Sequence, residues 1–397
     1  MTKHRIITRT VLLISFVSFF NDIASEMLYP VMPVYLRSIG FSILLIGILE
    51  GLAEATAGLS KGYFGNLSDL KRKRLPFIQA GYTLSAISKP LMALFVYPLW
   101  IFFARTLDRL GKGVRTGSRD AILSDETTKE HKGKVFGFHR GMDTLGAAVG
   151  PALALVYLYF FPEQYRWLFF LAFVPGVVAI LITFFMKEKK RTEGEATVKK
   201  IHFLSYFSYW KRSTKSYRLV TAGLLLFTLF NSSDVFLLLA VKEQGLSDVQ
   251  MIGVYIFYNL IFAVFSYPIG WLADRIGLWT MLIIGLVIFV AVYFGFGWAG
   301  SLMVFGFLFF GYGLYAACTD GISKALITNL ADRKDTATAI GLFTSLASLL
   351  TLLASSLAGL IWFMLGAQWM FIISGSGVGI TVIYFLLVMP RGNQKGY

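Results

Sequence analysis

The chain reads as a succession of long apolar runs broken by short polar punctuation. Each run is about 20 residues, enough for a helix to cross a ~30 Å hydrocarbon core. The pattern predicts twelve transmembrane helices, at 10–37, 42–66, 75–96, 98–124, 134–161, 165–186, 217–241, 247–272, 280–299, 301–329, 335–364 and 367–389. The longest polar stretch, KEKKRTEGEATVKK followed by IHFLSYFSYWKRSTKS, occupies 187–216, after the sixth run. This divides the chain into residues 1–186, a linker at 187–216, and residues 217–397, with six spans on either side. IHFLSYFSYW beside KRSTK is expected to form an amphipathic segment on the inner leaflet.

Composition sharpens this to an all-α polytopic membrane protein. The 397 residues are 56% hydrophobic and only 15% charged, where a soluble chain would sit near ~25% charged. The cations have a pattern. Lys71, Arg72, Lys73 and Arg74 follow span 2, Lys132 and Lys134 follow span 4, and the odd-numbered connections hold little beyond Arg37, Arg166 and Lys242. By the positive-inside rule both termini and the linker are cytoplasmic, in what is expected to be a bacterial inner membrane. Topology thus accounts for the net charge of +15 without a nucleic-acid partner. The single cysteine, Cys318, excludes an internal disulfide. The first run is too long and too polar-interrupted for a cleavable signal. No G-x-x-x-x-G-K-[ST] loop and no enzyme constellation is present, so neither a primary pump nor an enzyme is expected. Of four histidines, His4, His131 and His202 fall in loops, leaving His139 alone near carboxylates. No metal or cofactor is expected.

The two halves repeat each other. Gly65–Asp69 (GNLSD) after span 2 matches Gly270–Asp274 (GWLAD) after span 8. Gly117, Ala121 and Gly137 stand 204 residues before Gly321, Ala325 and Gly341, and FFN at 19–21 echoes LFN at 229–231. Two homologous six-helix halves joined by a linker are a plan suited to rocking about a central site.

With these motifs in hand, the chain resembles the major facilitator superfamily over essentially its whole length. GNLSDLKRKR resembles that family's loop 2–3 signature, Gly-x-Leu-[Ala/Ser]-Asp-[Arg/Lys]-x-Gly-[Arg/Lys]-[Arg/Lys], with Arg72 where glycine is usual. Gly65 would let span 2 approach another helix closely. Asp69 would cap or pair at the surface, while Arg72, Lys73 and Arg74 face lipid headgroups. FFARTLDRLGKG resembles the span 4 motif Arg-x-x-Gln-Gly-x-Gly-x-Gly, with Asp108 and Arg109 replacing the neutral pair. GAAVGPALA, through Gly146, Gly150 and Pro151, resembles the Gly-x-x-x-Gly-Pro stretch of antiporters, and YRWLFFLAFVPG resembles helix 6 of drug:proton antiporters. The resemblance implies two pseudo-symmetric six-helix bundles, the major facilitator fold, with spans 1, 4, 7 and 10 lining a central cavity.

Ionisable groups inside spans carry the candidate chemistry, because a charge in hydrocarbon costs at least ~2.5–3.5 kcal/mol. Asp22 and Glu26 lie one turn apart on span 1, as do Glu50 and Glu54 on span 2. Arg105, Asp108, Arg109, Lys112, Arg115 and Arg119 fall within roughly 120° of arc on span 4. In the second half, Asp320 and Lys324 are one turn apart on span 10 and are expected to pair, while Asp234 on span 7 has no obvious local partner. Glu50, Glu54, Arg119, Asp120, Arg140 and Asp143 are read as an ion-pair frame, with Arg119 and Asp120 pairing around Asp69 as a gate latch. Asp22 and Glu26 are read as proton-coupling groups that share a proton, beside Arg105. Arg105, Asp108, Arg109, Lys112, Asp234, Asp320 and Lys324 are candidates for contact with substrate. Pro30 and Pro33 would kink span 1 as a hinge.

Two readings follow. The first is a proton-coupled exporter of a small molecule working by alternating access, a monomer whose partners are substrate, protons and the lipid bilayer. The second is proton- or cation-coupled import of an anionic solute held by Arg105, Arg109 and Lys112.

Overall fold

The structure, a computed structural model, describes residues 6–29, 31–41, 43–188, 202, 204–245 and 248–388. Pro30, most of the 187–203 linker run, and the side chains of Pro33, Glu50 and Glu54 lie outside the described residues. Among those described, the long regular elements are all α-helical. They are α1 (Arg9–Glu26), α2 (Met32–Ser38), α3 (Ile43–Lys71), α4 (Leu75–Leu94), α5 (Pro98–Asp125), α6 (Lys132–Phe160), α7 (Tyr165–Thr183), α8 (Ser208–Arg212), α9 (Lys215–Phe230), α10 (Val235–Glu243), α11 (Asp248–Ile276), α12 (Leu278–Phe296), α13 (Leu302–Leu330), α14 (Thr336–Leu365) and α15 (Ala367–Val388).

Local signals set these boundaries. Thr8 and Thr214 cap α1 and α9, their hydroxyls accepting from the amides of Val11 and Tyr217 at 3.2 Å each. Proline opens α5 at Pro98, where a missing N–H costs nothing. Eight helical segments among the described residues are long and apolar enough to cross a membrane, from Lys129–Phe160 to Ala367–Val388. Twelve were expected. α1 and α5 are not among the eight, because the acids and bases that make them chemically interesting also lower their apolarity.

The first and seventh expected spans are each two helices. α1 stops before Met27, and α9 stops before Asn231, 204 positions later. The α9 break is the polar run Asn231–Ser232–Ser233–Asp234, whose side chains compete for backbone groups. This register corrects one part of the repeat. Asn21 lies inside α1 while Asn231 follows α9, so the FFN/LFN echo does not mark equivalent positions.

The described chain forms two compact units. One comprises Met1–Thr127, Met142–Ser213 and Ala331–Leu346; the other comprises Thr128–Gly141, Thr214–Leu330 and Ala347–Tyr397. They follow the two sequence halves except at the first turns of α6 and α14, which cluster with the opposite unit. In the first unit α5 packs on α3 and α4, and α7 on α1 and α4; in the second α13 packs on α11 and α12, and α15 on α12 and α9.

Candidate functional site

α5 gathers the charges of the first unit. Glycines let it cross α4 backbone to backbone, since a Cβ at Gly111 would stand 2.6 Å from the Gly81 carbonyl oxygen. At this crossing Lys89 Nζ meets Asp108 Oδ1 at 2.9 Å and donates to the Ser85 carbonyl at 2.9 Å and Ser25 Oγ at 3.3 Å. Arg105 reaches Asp108 Oδ2 at 3.5 Å. Arg115 donates to Ser85 Oγ at 2.7 Å and lies 4.6 Å over the Tyr82 ring. Asp108, Lys89, Arg105 and Arg115 are all buried. The stripe on α5 is therefore split. Its buried members are tied into helix packing, while Arg109 is half-buried and Lys112 exposed, both within electrostatic reach of Glu26 on α1.

A second network joins α1, α5 and α6. Arg119 Nε donates to Asp120 Oδ1 at 2.8 Å, and its Nη1 donates to Ser18 Oγ at 3.2 Å and lies 3.8 Å from Asp143 Oδ1. Ser18 donates to Asp143. Asp22 comes against the same helix, its Cβ 3.1 Å from where a Cβ on Gly146 would stand, one turn beyond Asp143. α6 can come this close because Gly146 and Gly150 face the α1 backbone. A Cβ at Gly146 would stand 2.5 Å from the Phe19 carbonyl oxygen, and one at Gly150 would stand 2.8 Å from that of Ile23. Pro151, in the next position, sits within α6.

At the C-terminal end of α3 the first unit is clamped. Asp69 Oδ2 accepts from the Thr338 amide at 2.7 Å and its hydroxyl at 2.9 Å, at the start of α14, where free N–H groups favour an anion. Asp69 Oδ1 pairs with Arg74 Nη2 at 3.2 Å, and Arg74 also pairs with Asp125. Gly65 allows the contact, since a Cβ there would be 2.4 Å from the Ala337 carbonyl oxygen. Two expectations change here. Arg74 is buried with acidic partners rather than facing headgroups, because the helix junction folds it inward. Asp69 is held by Arg74 and Thr338, while Arg119 turns to Asp120, Ser18 and Asp143.

The linker segment enters this clamp. Tyr206 is fully buried, its ring filling the space a side chain at Gly62 would take, and its hydroxyl lies 2.9 Å from Ser345 Oγ. Asn66 donates to Ser205 Oγ at 2.8 Å. Burial pushes the Tyr209 phenol well above its usual range, with Asp335, Asp332 and Asp69 adding to the shift. Of the segment expected to be amphipathic, Tyr206 and Tyr209 plug into protein while Leu204 is exposed.

The second unit has a matching clamp at the end of α11. Asp274 accepts from the amides of Gly133 at 2.8 Å and Lys134 at 3.0 Å, at the start of α6. Gly270 approaches so closely that a Cβ would stand 2.3 Å from the Gly133 carbonyl oxygen. Elsewhere in that unit Arg140 Nη2 pairs with Asp320 Oδ2 at 2.5 Å and lies 5.5 Å over the Phe262 ring. Asp320, expected to pair with Lys324 one turn on, thus has a cation on another helix. Lys324 is half-buried. Asp234, at the α9–α10 break, accepts from Tyr258 Oη at 2.7 Å and Tyr312 Oη at 2.6 Å.

Comparison with known proteins places this geometry. The sequence profile of the Major Facilitator Superfamily matches residues 14–349 and, again, 254–396. The chain belongs to the major facilitator superfamily. An uncharacterized MFS-type transporter of Methanocaldococcus jannaschii is 34% identical over 364 residues, covering 90% of this chain and 89% of that one. Citrate exporter 1 of Aspergillus niger is 25% identical over 203 residues, 49% of this chain and 38% of the exporter. Among solved structures, the human organic anion transporter TETRAN superposes with TM-score 0.83 at 17% identity, covering 95% of this chain and 99% of its own. The Escherichia coli fucose:proton symporter superposes with TM-score 0.76 at 12% identity, covering 98% and 100%. These likenesses establish the all-helical superfamily fold.

Within this superfamily member, sequence reading missed Lys89 as partner of Asp108, Asp143 as partner of Asp22, and Tyr206 as a buried plug. Only Gly62, a small residue three positions before Gly65, hinted at the last.

Proposed function

We propose that this superfamily member is a secondary active transporter that exports a small molecule in exchange for protons by alternating access. In this reading twelve spans form two six-helix bundles, with both termini cytoplasmic in an inner membrane. Asp22 and Glu26 serve coupling, and Arg105, Arg109, Lys112, Asp234, Asp320 and Lys324 are candidates for the cavity. The observation that carries the reading is the Asp22–Asp143 carboxyl pair. Two carboxyls this close need not both be ionised, so a single proton can be shared between them. With Arg119 beside Asp143, a shift of α1 or α6 that parts the carboxyls would release that proton and leave Arg119 to hold the charge. Ser18 would keep Asp143 oriented. The glycine-smooth contact of α6 on α1 suits such sliding.

A second reading, import of an anion, is favoured by Arg109 and Lys112, cations without the deep burial of Arg105. The citrate and organic-anion names among the related proteins favour an anionic solute, while the citrate relative is named an exporter.

The experiment is proton flux in liposomes loaded with a pH dye and candidate substrates. Outwardly directed substrate gradients should drive proton entry in the wild type and not in Asp22→Asn or Asp143→Asn. Undiminished flux in the double variant would remove the carboxyl pair from the mechanism. Uptake of an external anion with co-entering protons would select the second reading.

A further inference from the structure

In the second unit, Asp234 is held differently from the ion-paired acids. Asp69, Asp108, Asp120, Asp143 and Asp320 each meet a guanidinium or ammonium group. Asp234 does not. Among the described residues no lysine, arginine or histidine forms an ion pair with its carboxylate, Arg140 near Tyr258 being paired with Asp320, and each of its oxygens is held instead by a neutral tyrosine hydroxyl. Two neutral donors orient and hold a carboxylate without cancelling its charge. Asp234 is half-buried, in a helix bundle whose surroundings make an uncompensated charge expensive.

A second atom points the same way. In the same break, Asn231 donates from Nδ2 to Tyr315 Oη at 3.2 Å, while its Oδ1 is buried and has no hydrogen-bond partner. Around both residues runs a chain of rings. Tyr258 and Tyr312 have centroids 5.3 Å apart, Tyr312 and Tyr315 5.2 Å, and Tyr255 and Tyr258 5.6 Å. What is unmet here is acceptor capacity and negative charge, and what surrounds it is aromatic. An anion would be repelled. A small hydrated metal ion would gain nothing from the rings, whereas an organic ammonium group gains from the carboxylate and from ring faces together.

We propose that Asp234, with Asn231 and the Tyr258–Tyr312 pair, is the recognition point for a positively charged amine on the transported molecule. This rests on the reading of the chain as a transporter. The bland alternative is a staple, in which the tyrosines merely fasten the α9–α10 break to α11 and α13. A staple would affect stability and leave cation binding untouched.

The test is equilibrium binding to the full chain in lipid nanodiscs at fixed ionic strength, by calorimetry and thermal shift. Benzyltrimethylammonium and phenethylamine are the cationic probes, with benzyl alcohol and benzenesulfonate as neutral and anionic counterparts. Both cations should bind saturably and the counterparts should not compete. Asp234→Asn should weaken both roughly tenfold or more. Asn231→Leu should weaken phenethylamine, which has N–H groups to donate, more than benzyltrimethylammonium, which has none. Should Asp234→Asn fail to fold, Tyr312→Phe carries the same expectation at roughly threefold, since it removes one orienting donor. Equal binding by wild type and variants overturns the proposal, as does absence of cation binding or protection by sodium alone. Because binding needs no turnover, its loss with proton flux intact refutes this inference alone. Binding without any flux refutes the transport reading instead.

Discussion

Arg72 lies at φ 54°, in the left-handed region, at the junction between α3 and α4. An L-residue with a Cβ costs roughly 1–2 kcal/mol there, against roughly 0.5–1 kcal/mol of extra chain entropy for glycine. The equivalent residue in the second half, Gly277, has φ 99° and is glycine. Arg72→Gly should therefore stabilise the protein slightly, raising its melting temperature by about 1–3 °C in detergent. An unchanged or lower midpoint would mean that the arginine side chain offsets its backbone strain. Tyr206 offers the opposite case. Removing its hydroxyl with Tyr206→Phe deletes the bond to Ser345 and should cost about 1 kcal/mol. Gly62→Val has no room for its side chain and should expel the ring altogether. Cysteine-reactive labelling of a Ser205→Cys reporter, which keeps the ring, would read this out, with slow reaction in the parent and fast reaction alongside Gly62→Val.

At the scale of the element, the helices were legible because a bilayer demands apolar runs of fixed length, and the chain supplies them. The breaks in spans 1 and 7 were less so, since Asn231–Asp234 is short and sits inside an apolar stretch. The pairings were legible least. Sequence reading favours neighbours one turn apart, which is why Asp22 was set with Glu26 and Asp320 with Lys324. The fold adds partners from other helices, Asp143 for Asp22 and Arg140 for Asp320, because a charge inside a bundle takes whatever well-placed group packing delivers, at any sequence separation. The clamps follow the same logic. Asp69→Asn keeps the side-chain shape but loses the charge attracted to the α14 amides and Arg74. Hydrogen exchange of the first α14 amides should accelerate by about tenfold or more, while α4 and α7 are unaffected. Unaltered exchange at Thr338 would show that the carboxylate contributes nothing there.

For the whole molecule, the repeat turns out to be about contacts more than residues. Gly65 and Asp69 engage Ala337 and Thr338; Gly270 and Asp274 engage Gly133 and Lys134, the glycine–aspartate pairs standing 205 positions apart and their partners 204. The segments that join the opposite compact unit, Thr128–Gly141 and Ala331–Leu346, match under nearly the same shift. The symmetry predicts that Asp274→Asn will loosen the first amides of α6 as Asp69→Asn loosens those of α14. The two substitutions should add in their effect on unfolding free energy, within about 0.5 kcal/mol, if the clamps act independently. A marked departure from additivity would mean that they open together.

The clamp also sets a schedule. Asp69 and the Thr338 amide that completes its coordination are 269 residues apart. At ribosomal rates of roughly 5–20 residues per second, the carboxylate leaves the ribosome roughly 15–50 s before its partner exists. Through that interval the end of α3 stands without the helix it is shaped to receive, and Gly65 and Gly117 present a bare backbone groove. A nascent chain stalled or truncated before residue 331 would leave that groove unfilled, giving membrane quality control a defined surface by which to tell an unfinished molecule from a complete one.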